Sequence, residues 1–127
     1  MLRGIAIGGP PGRLTPSLAD SLFTGNVISG SREDGIKLRG GNTGITFRGN
    51  VVTRNGRFGI NAECGSIAGI WVCPTRNTFE ANQMLENGTR DARDQTRSLI
   101  PDPSEWNTWI GNECLTDFPA GTICGIG

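Results

Sequence analysis

The sequence predicts an all-β solenoid: short strands wound into about four stacked coils. Three observations lead there. Asn26, Asn50, Asn82 and Asn112 recur at intervals of 24, 32 and 30 residues, each preceded three residues earlier by an aromatic (Phe23, Phe47, Phe79, Trp109). Apolar residues alternate within each copy, as at Ile45 and Phe47 or Ile60 and Ala62, which is the period of a strand. Apolar residues make up only 35% of the chain while Gly reaches 20, a composition thin for a globule but sufficient for a narrow stack of coils.

One domain is expected for 127 residues. Residues 1–20 begin mid-pattern. Gly4-Ile5-Ala6-Ile7 reads as the closing strand of an earlier coil, and Gly8-Gly9-Pro10-Pro11-Gly12 breaks the chain. No Gly-Lys-Ser/Thr follows, so this is no phosphate cradle. The apolar run is too short for a secretory leader, and nothing in the sequence could span a membrane. A fragment or a mature chain is therefore expected.

Residues 21–62 are expected to form regular coils. From Asn26, Ile28, Gly35, Ile36 and Leu38 stand at the same offsets as Val52, Gly59, Ile60 and Ala62 do from Asn50. Three strands per coil, divided by Asn and Asn-Gly turns, cannot bury their apolar side alone, but stacked coils can. The Asn column should then form an amide ladder at one bend, where Asn tolerates left-handed backbone. The aromatic column should stack in the core. Residues 63–76 lengthen the period and read as a loop insertion. Trp71 within it either contacts a partner or folds back on the core, the commoner fate.

Residues 77–127 are expected to form irregular coils and a C-terminal cap. Thr46, Thr78 and Thr108 should form an outer column, with Arg48 beside Glu80. Thr89-Arg90-Asp91-Ala92-Arg93-Asp94-Gln95-Thr96-Arg97 alternates both charge signs and reads as mostly a solvated strand or loop. Asn87-Gly88-Thr89 is formally a glycosylation sequon, a triplet that arises readily by chance. In the last coil Cys114 and Cys124 take two core offsets, and Gly121-Thr122-Ile123-Cys124 is expected to close it.

The four cysteines lie 9 and 10 residues apart within local pairs, and no CxxC occurs. Pairing of Cys64 with Cys73 and of Cys114 with Cys124 is expected, which implies an extracellular or periplasmic location. Four reduced thiols are the alternative.

The stretch Phe47-Arg48-Gly49-Asn50-Val51-Val52-Thr53-Arg54-Asn55-Gly56, with the Gly-Ile strands, resembles the right-handed parallel β-helix repeat family. That superfamily includes pectate lyases, polygalacturonases, alginate epimerases and periplasmic nitrous-oxide-reductase maturation proteins. The likeness is close over residues 21–62 and loose over 77–124. It implies the fold and no particular activity. The galacturonase-type Asn-Thr-Asp, Asp-Asp and Gly-His-Gly set and the epimerase Asp-Pro-His-Asp are missing.

Function is bounded mainly by exclusion. Twelve Lys+Arg balance twelve Asp+Glu, so no nucleic-acid footprint is expected. His is absent, which removes imidazole acid–base chemistry and His-liganded metals, and neither a metal site nor a cofactor is expected. The leading expectation is a non-catalytic secreted segment, structural or binding acidic polysaccharide. The alternative is a C-terminal fragment of a polysaccharide lyase or glycosidase whose catalytic coils lie upstream. Association through exposed coil ends is a third route. The candidate ligand face comprises Asp34, Lys37, Arg39, Asn61 and Glu63, with Arg93 and Gln95 joining if the register holds. These residues lie between inward pairs and should point outward, where Lys and Arg suit uronate carboxylates. An ordinary solvated sheet face is the competing reading.

Overall fold

The computed structural model describes residues 5–7 and 21–124. The expected break at 8–12 lies outside the described residues. The earlier coil expected upstream is present as β1 (Ile5–Ile7), which pairs in parallel with β4 (Ile36–Leu38).

Each later coil has three strands. Opening strands β2 (Leu22–Thr24), β5 (Thr46–Arg48), β10 (Thr78–Glu80) and β13 (Thr108–Ile110) form one parallel sheet. Middle strands β3 (Val27–Ser29), β6 (Val51–Thr53), β11 (Gln83–Leu85) and β14 (Glu113–Cys114) form a second. The third contains β1, β4, β7 (Phe58–Ala62), β12 (Arg90–Asp94) and β15 (Asp117–Phe118) as closing strands. The result is a parallel β-helix.

The core is the inside of this coil stack. Alternation sends Ile28, Val52 and Met84 inward from the middle sheet, and Ile36, Leu38 and Ile60 inward from the closing sheet. Phe23, Phe47, Phe79 and Trp109 stack face to face along it, with centroid spacings of 5.2, 5.0 and 3.9 Å. These rings repeat because strands repeat at about 4.8 Å. On the outside, Thr46, Thr78 and Thr108 share one register row. Arg48 Nε lies 2.9 Å from Glu80 Oε2, an exposed pair that contributes a few tenths of a kcal/mol.

Amide columns hold the corners. Asn26, Asn50, Asn82 and Asn112 stand in one file. The Oδ1 of each later member accepts from both the backbone N–H and the Nδ2 of the member before, at 2.9–3.0 Å. Nδ2 also donates to the carbonyl of the aromatic residue in the preceding coil, as Asn50 does to Phe23 at 3.1 Å. Every buried polar atom of the bend thus finds a partner, at about 1 kcal/mol net per bond. The left-handed residue is not the Asn, as the sequence reading had it, but the one before: Gly25, Gly49, Ala81 and Gly111 have φ of 68°, 65°, 53° and 63°. That residue makes the turn, and Asn follows to satisfy it.

A second file, Ser31, Asn55 and Asn87, marks the next corner, and a third, Asn77 and Asn107, the last. Glycine is needed where the second file is tightest. A Cβ on Gly56 would strike the carbonyl of Arg32, and one on Gly88 would strike that of Gly56.

Two expectations for the later coils are corrected. The run 89–97 is a strand followed by a helix and is largely not solvated: β12 pairs with β7 in register, and Asp91, Ala92, Asp94 and Thr96 are buried while Thr89, Arg90 and Arg97 stay exposed. The last coil does not close on Gly121–Cys124. Asp117 takes the place beside Ala92, five residues earlier than the repeat offset implies, and Cys124 lies beyond the strand. Asp117 holds this shortened turn, accepting from the N–H groups of Gly121, Ile123 and Cys124 at 2.8–2.9 Å.

Candidate functional site

The closing sheet sets Lys37, Asn61 and Arg93 side by side in one register row across three coils, as the repeat offsets predict. Alternation turns their side chains away from the core lined by Ile36, Leu38, Ile60 and Ala92. The expected open polar face is nevertheless not found. Asp34, Lys37 and Asn61 are 1%, 7% and 0% exposed, and Glu63 and Arg93 are half-buried.

The reason is a continuous chain of bonds. Asp34 Oδ1 accepts from the Phe58 N–H at 3.1 Å and Oδ2 from Asn61 Nδ2 at 3.0 Å. Asn61 Oδ1 accepts from Arg93 Nε at 2.8 Å. Glu63 then bridges Arg93 and Lys37, 3.2 Å from each. The Arg93 guanidinium also covers the Phe58 ring, 4.4 Å from its centroid. Burial lowers the Arg93 pKa, against the opposing pull of Glu63 and Asp34. Two carboxylates pair with two cations here, and the Arg57 guanidinium faces the same Phe58 ring, 5.7 Å from its centroid. Gln95 leaves the row: it begins helix α1 (Gln95–Leu99), and its Oε1 accepts from the Cys64 N–H at 3.0 Å. Phe58 and its stack on Arg93 were missed, though an aromatic beside a Gly-Ile strand was available as a signal.

Arg39, the remaining member, lies apart from this cluster and makes no ion pair among the described residues. It opens the third corner, between a closing strand and the next opening strand. The corner from opening to middle strand takes two residues in every coil: 25–26, 49–50, 81–82 and 111–112. The third corner takes residues 39–45, then 63–77, then 95–107. Its long members carry a hairpin, β8 (Gly65–Ile67) with β9 (Ile70–Val72), and then α1 with a 3-10 turn at Pro103–Glu105.

The hairpin turns at Ala68-Gly69, both with positive φ as a two-residue type I′ turn requires. The Cys64–Cys73 disulfide closes its base, and Cys114–Cys124 ties the segment after β15 back to β14; both pairings are those the spacing predicts. Both are compatible with an extracellular location. Trp71 does not fold back on the core. It is 51% exposed, and its neighbour Ile70 is 67% exposed.

Two further buried groups are structural. Asp94 accepts from Trp109 Nε1 at 2.7 Å, from Asn107 Nδ2, and from the first N–H groups of α1. Burial raises its pKa in spite of these donors. The Asn87 sequon has its amide nitrogen committed to the Val52 carbonyl and to Asp91 Oδ1, each at 3.0 Å. Among the described residues no group of His, Cys, Asp or Glu is placed to hold a metal, and no helix is long and apolar enough to cross a membrane.

Parallel three-strand coils, corner amide files and an inward aromatic stack define a β-helix solenoid. Residues 3–94 match the family described as right handed beta helix region, and the chain belongs to that family. No curated protein and no solved structure matches it significantly.

Proposed function

We propose that this chain is a non-catalytic, secreted β-helix segment, a rigid scaffold whose ligand is an acidic polysaccharide. The observation that carries the scaffold reading is the fully bonded cluster on the closing sheet. Asp34 and Glu63, the local carboxylates, are spent on a backbone N–H, an amide and two cations drawn from three coils. A general base needs a reachable lone pair and a matched pKa. These groups instead tie coils together. The two disulfides support placement in an oxidising compartment outside the cell.

The second reading is a polysaccharide lyase or glycosidase segment that carries part of its acid–base set on these coils as well as upstream. One observation favours it: Glu63 is half-exposed and flanked by Lys37 and Arg93, an acid set between two cations. The test is incubation of the purified chain with polygalacturonate and alginate, following new reducing and unsaturated ends. No product is expected. Product that disappears in Glu63→Gln, with the melting temperature retained, would overturn the non-catalytic reading.

A further inference from the structure

The third corner differs from the others in what it exposes. The hairpin base is gripped from both sides. On one side a Cβ on Gly40 would strike the Val72 carbonyl, and the Gly41 N–H donates to the Cys73 carbonyl at 3.3 Å. On the other, Thr96 Oγ1 donates to the Pro74 carbonyl at 2.6 Å, Asn107 Nδ2 donates to the same carbonyl at 3.1 Å, and Gln95 accepts from Cys64. Arg39 immediately precedes the first contact and Arg97 immediately follows the second. The segments that grip the hairpin base from two coils thus each run directly into an arginine, half-buried Arg39 on one side and exposed Arg97 on the other.

Neither guanidinium has a carboxylate partner among the described residues. Arg97 lies over the Trp106 ring at 4.6 Å, which holds its plane without neutralising it. The acids of the same corner are engaged elsewhere: Glu105 with Arg76 at 3.7 Å, and Asp102 with the N–H and hydroxyl of Ser104, each at 2.9 Å. The combination is an exposed aromatic on a stapled hairpin, a second aromatic beneath an arginine, and two uncompensated planar cations. Aromatic faces take up the apolar face of a ring, and guanidiniums take up carboxylates or sulfates in paired hydrogen bonds. A disulfide and the interlocked loops fix the backbone that carries these groups, which lowers the ordering cost of binding.

We propose that the insertion corner, with Trp71, Arg39 and Arg97 as its contacts, is the binding surface for an anionic glycan, in place of the closing-sheet face. This rests on the polysaccharide reading above and moves its site.

Titration calorimetry on the oxidised chain tests it, with polygalacturonate, a sulfated glycan and a neutral glucan as probes. Binding of an anionic glycan and no binding of the glucan are expected. Trp71→Ala and the pair Arg39→Gln with Arg97→Gln should each raise Kd about tenfold or more, as loss of a central anchor does, with the thermal melt unchanged. Preference between polygalacturonate and the sulfated glycan identifies which anion the guanidiniums read. Unchanged affinity in both variants would overturn this surface and leave the polysaccharide reading standing. No anionic binding by the parent chain would overturn both, and equal binding of the glucan would remove the arginines from the site.

Discussion

The file Asn26–Asn50–Asn82–Asn112 and the file Asn77–Asn107 are built from the same side chain but end differently. In both, each amide passes hydrogen-bond donors to the oxygen of the next member. The first file stops at Asn112, whose Nδ2 donates to the Phe79 carbonyl at 2.9 Å. The second runs on into Asp94, which accepts from Asn107 and also takes the indole N–H of Trp109. The corner file of Asn55 and Asn87 ends similarly on Asp91, whose second oxygen accepts from Leu115 and Thr116. An ionised carboxylate only accepts, so it terminates a column of donors where a further amide would need another partner of its own. Two of the buried acids, Asp91 and Asp94, are column ends, and Asp34 and Asp117 are likewise spent on structural donors, so acid content alone is a poor guide to a reactive site here.

The largest expected effect separates the two kinds of ending. Asp94→Ala strands the Trp109 indole N–H and one N–H of the Asn107 amide in the core and uncaps α1. It should cost about 3 kcal/mol in denaturant unfolding, because each abandoned buried donor carries its full desolvation penalty. Asn112→Ala should cost about 1 kcal/mol less. Equal losses would mean that the carboxylate ending has no special weight.

Within the first file, Asn50→Ala removes an oxygen that accepts twice from Asn26 and an Nδ2 that donates twice, to Asn82 and Phe23. The expected loss is about 2 kcal/mol. A loss within measurement error would show that water replaces these bonds.

The smallest effect is one of pH. Burial pushes the Asp117 pKa up, but hydrogen bonds from the backbone of Cys124, Gly121, Ile123 and Thr122 outweigh it and hold the group below the usual carboxylate value. Its stabilisation is therefore present above the unfolded value of about 3.9 and lost as pH falls through the folded one. Asp94, raised by burial, acts in the opposite sense: its contribution is full below the unfolded value and is lost as pH rises through the folded one. Melting curves between neutral and strongly acidic pH should show Asp117→Asn losing less stability on acidification than the parent. An equally steep acid loss would refute the assignment.

The coil stack was legible because it is written as repetition. The offsets of Asn50, Ile60 and Ala62 from one coil reappear in the next, and the structure pairs those positions in register. The register even survived the insertion, so that Arg48 meets Glu80 and Asn61 meets Arg93. What was not legible was exposure. Alternation says which way Lys37 and Asn61 point, but their burial depends on Asp34, Glu63 and Arg93 meeting across three coils. Asp91 and Asp94 misled for a related reason. A charged run normally marks solvent, and only the amide files reveal that their terminal slots call for acceptors. Arg39 stands in the sequence as one candidate among five, and the seating of the hairpin on Gly40 beside it is a contact with no periodic signature.

The amide files also bear on how this protein ages. Asn55-Gly56 and Asn87-Gly88 are the dipeptides in which a glycine nitrogen most readily attacks the preceding side-chain carbonyl, expelling ammonia and leaving a succinimide. Here that nitrogen is occupied. Gly56 donates to the Ser31 carbonyl and Gly88 to the Asn55 carbonyl, each at 2.8 Å, and both asparagine Nδ2 groups are bonded to the next member of the column. With backbone packed against each glycine where a Cβ would go, the five-membered ring has little room to form. The bends that set the shape of the coil thereby shelter its most perishable bonds.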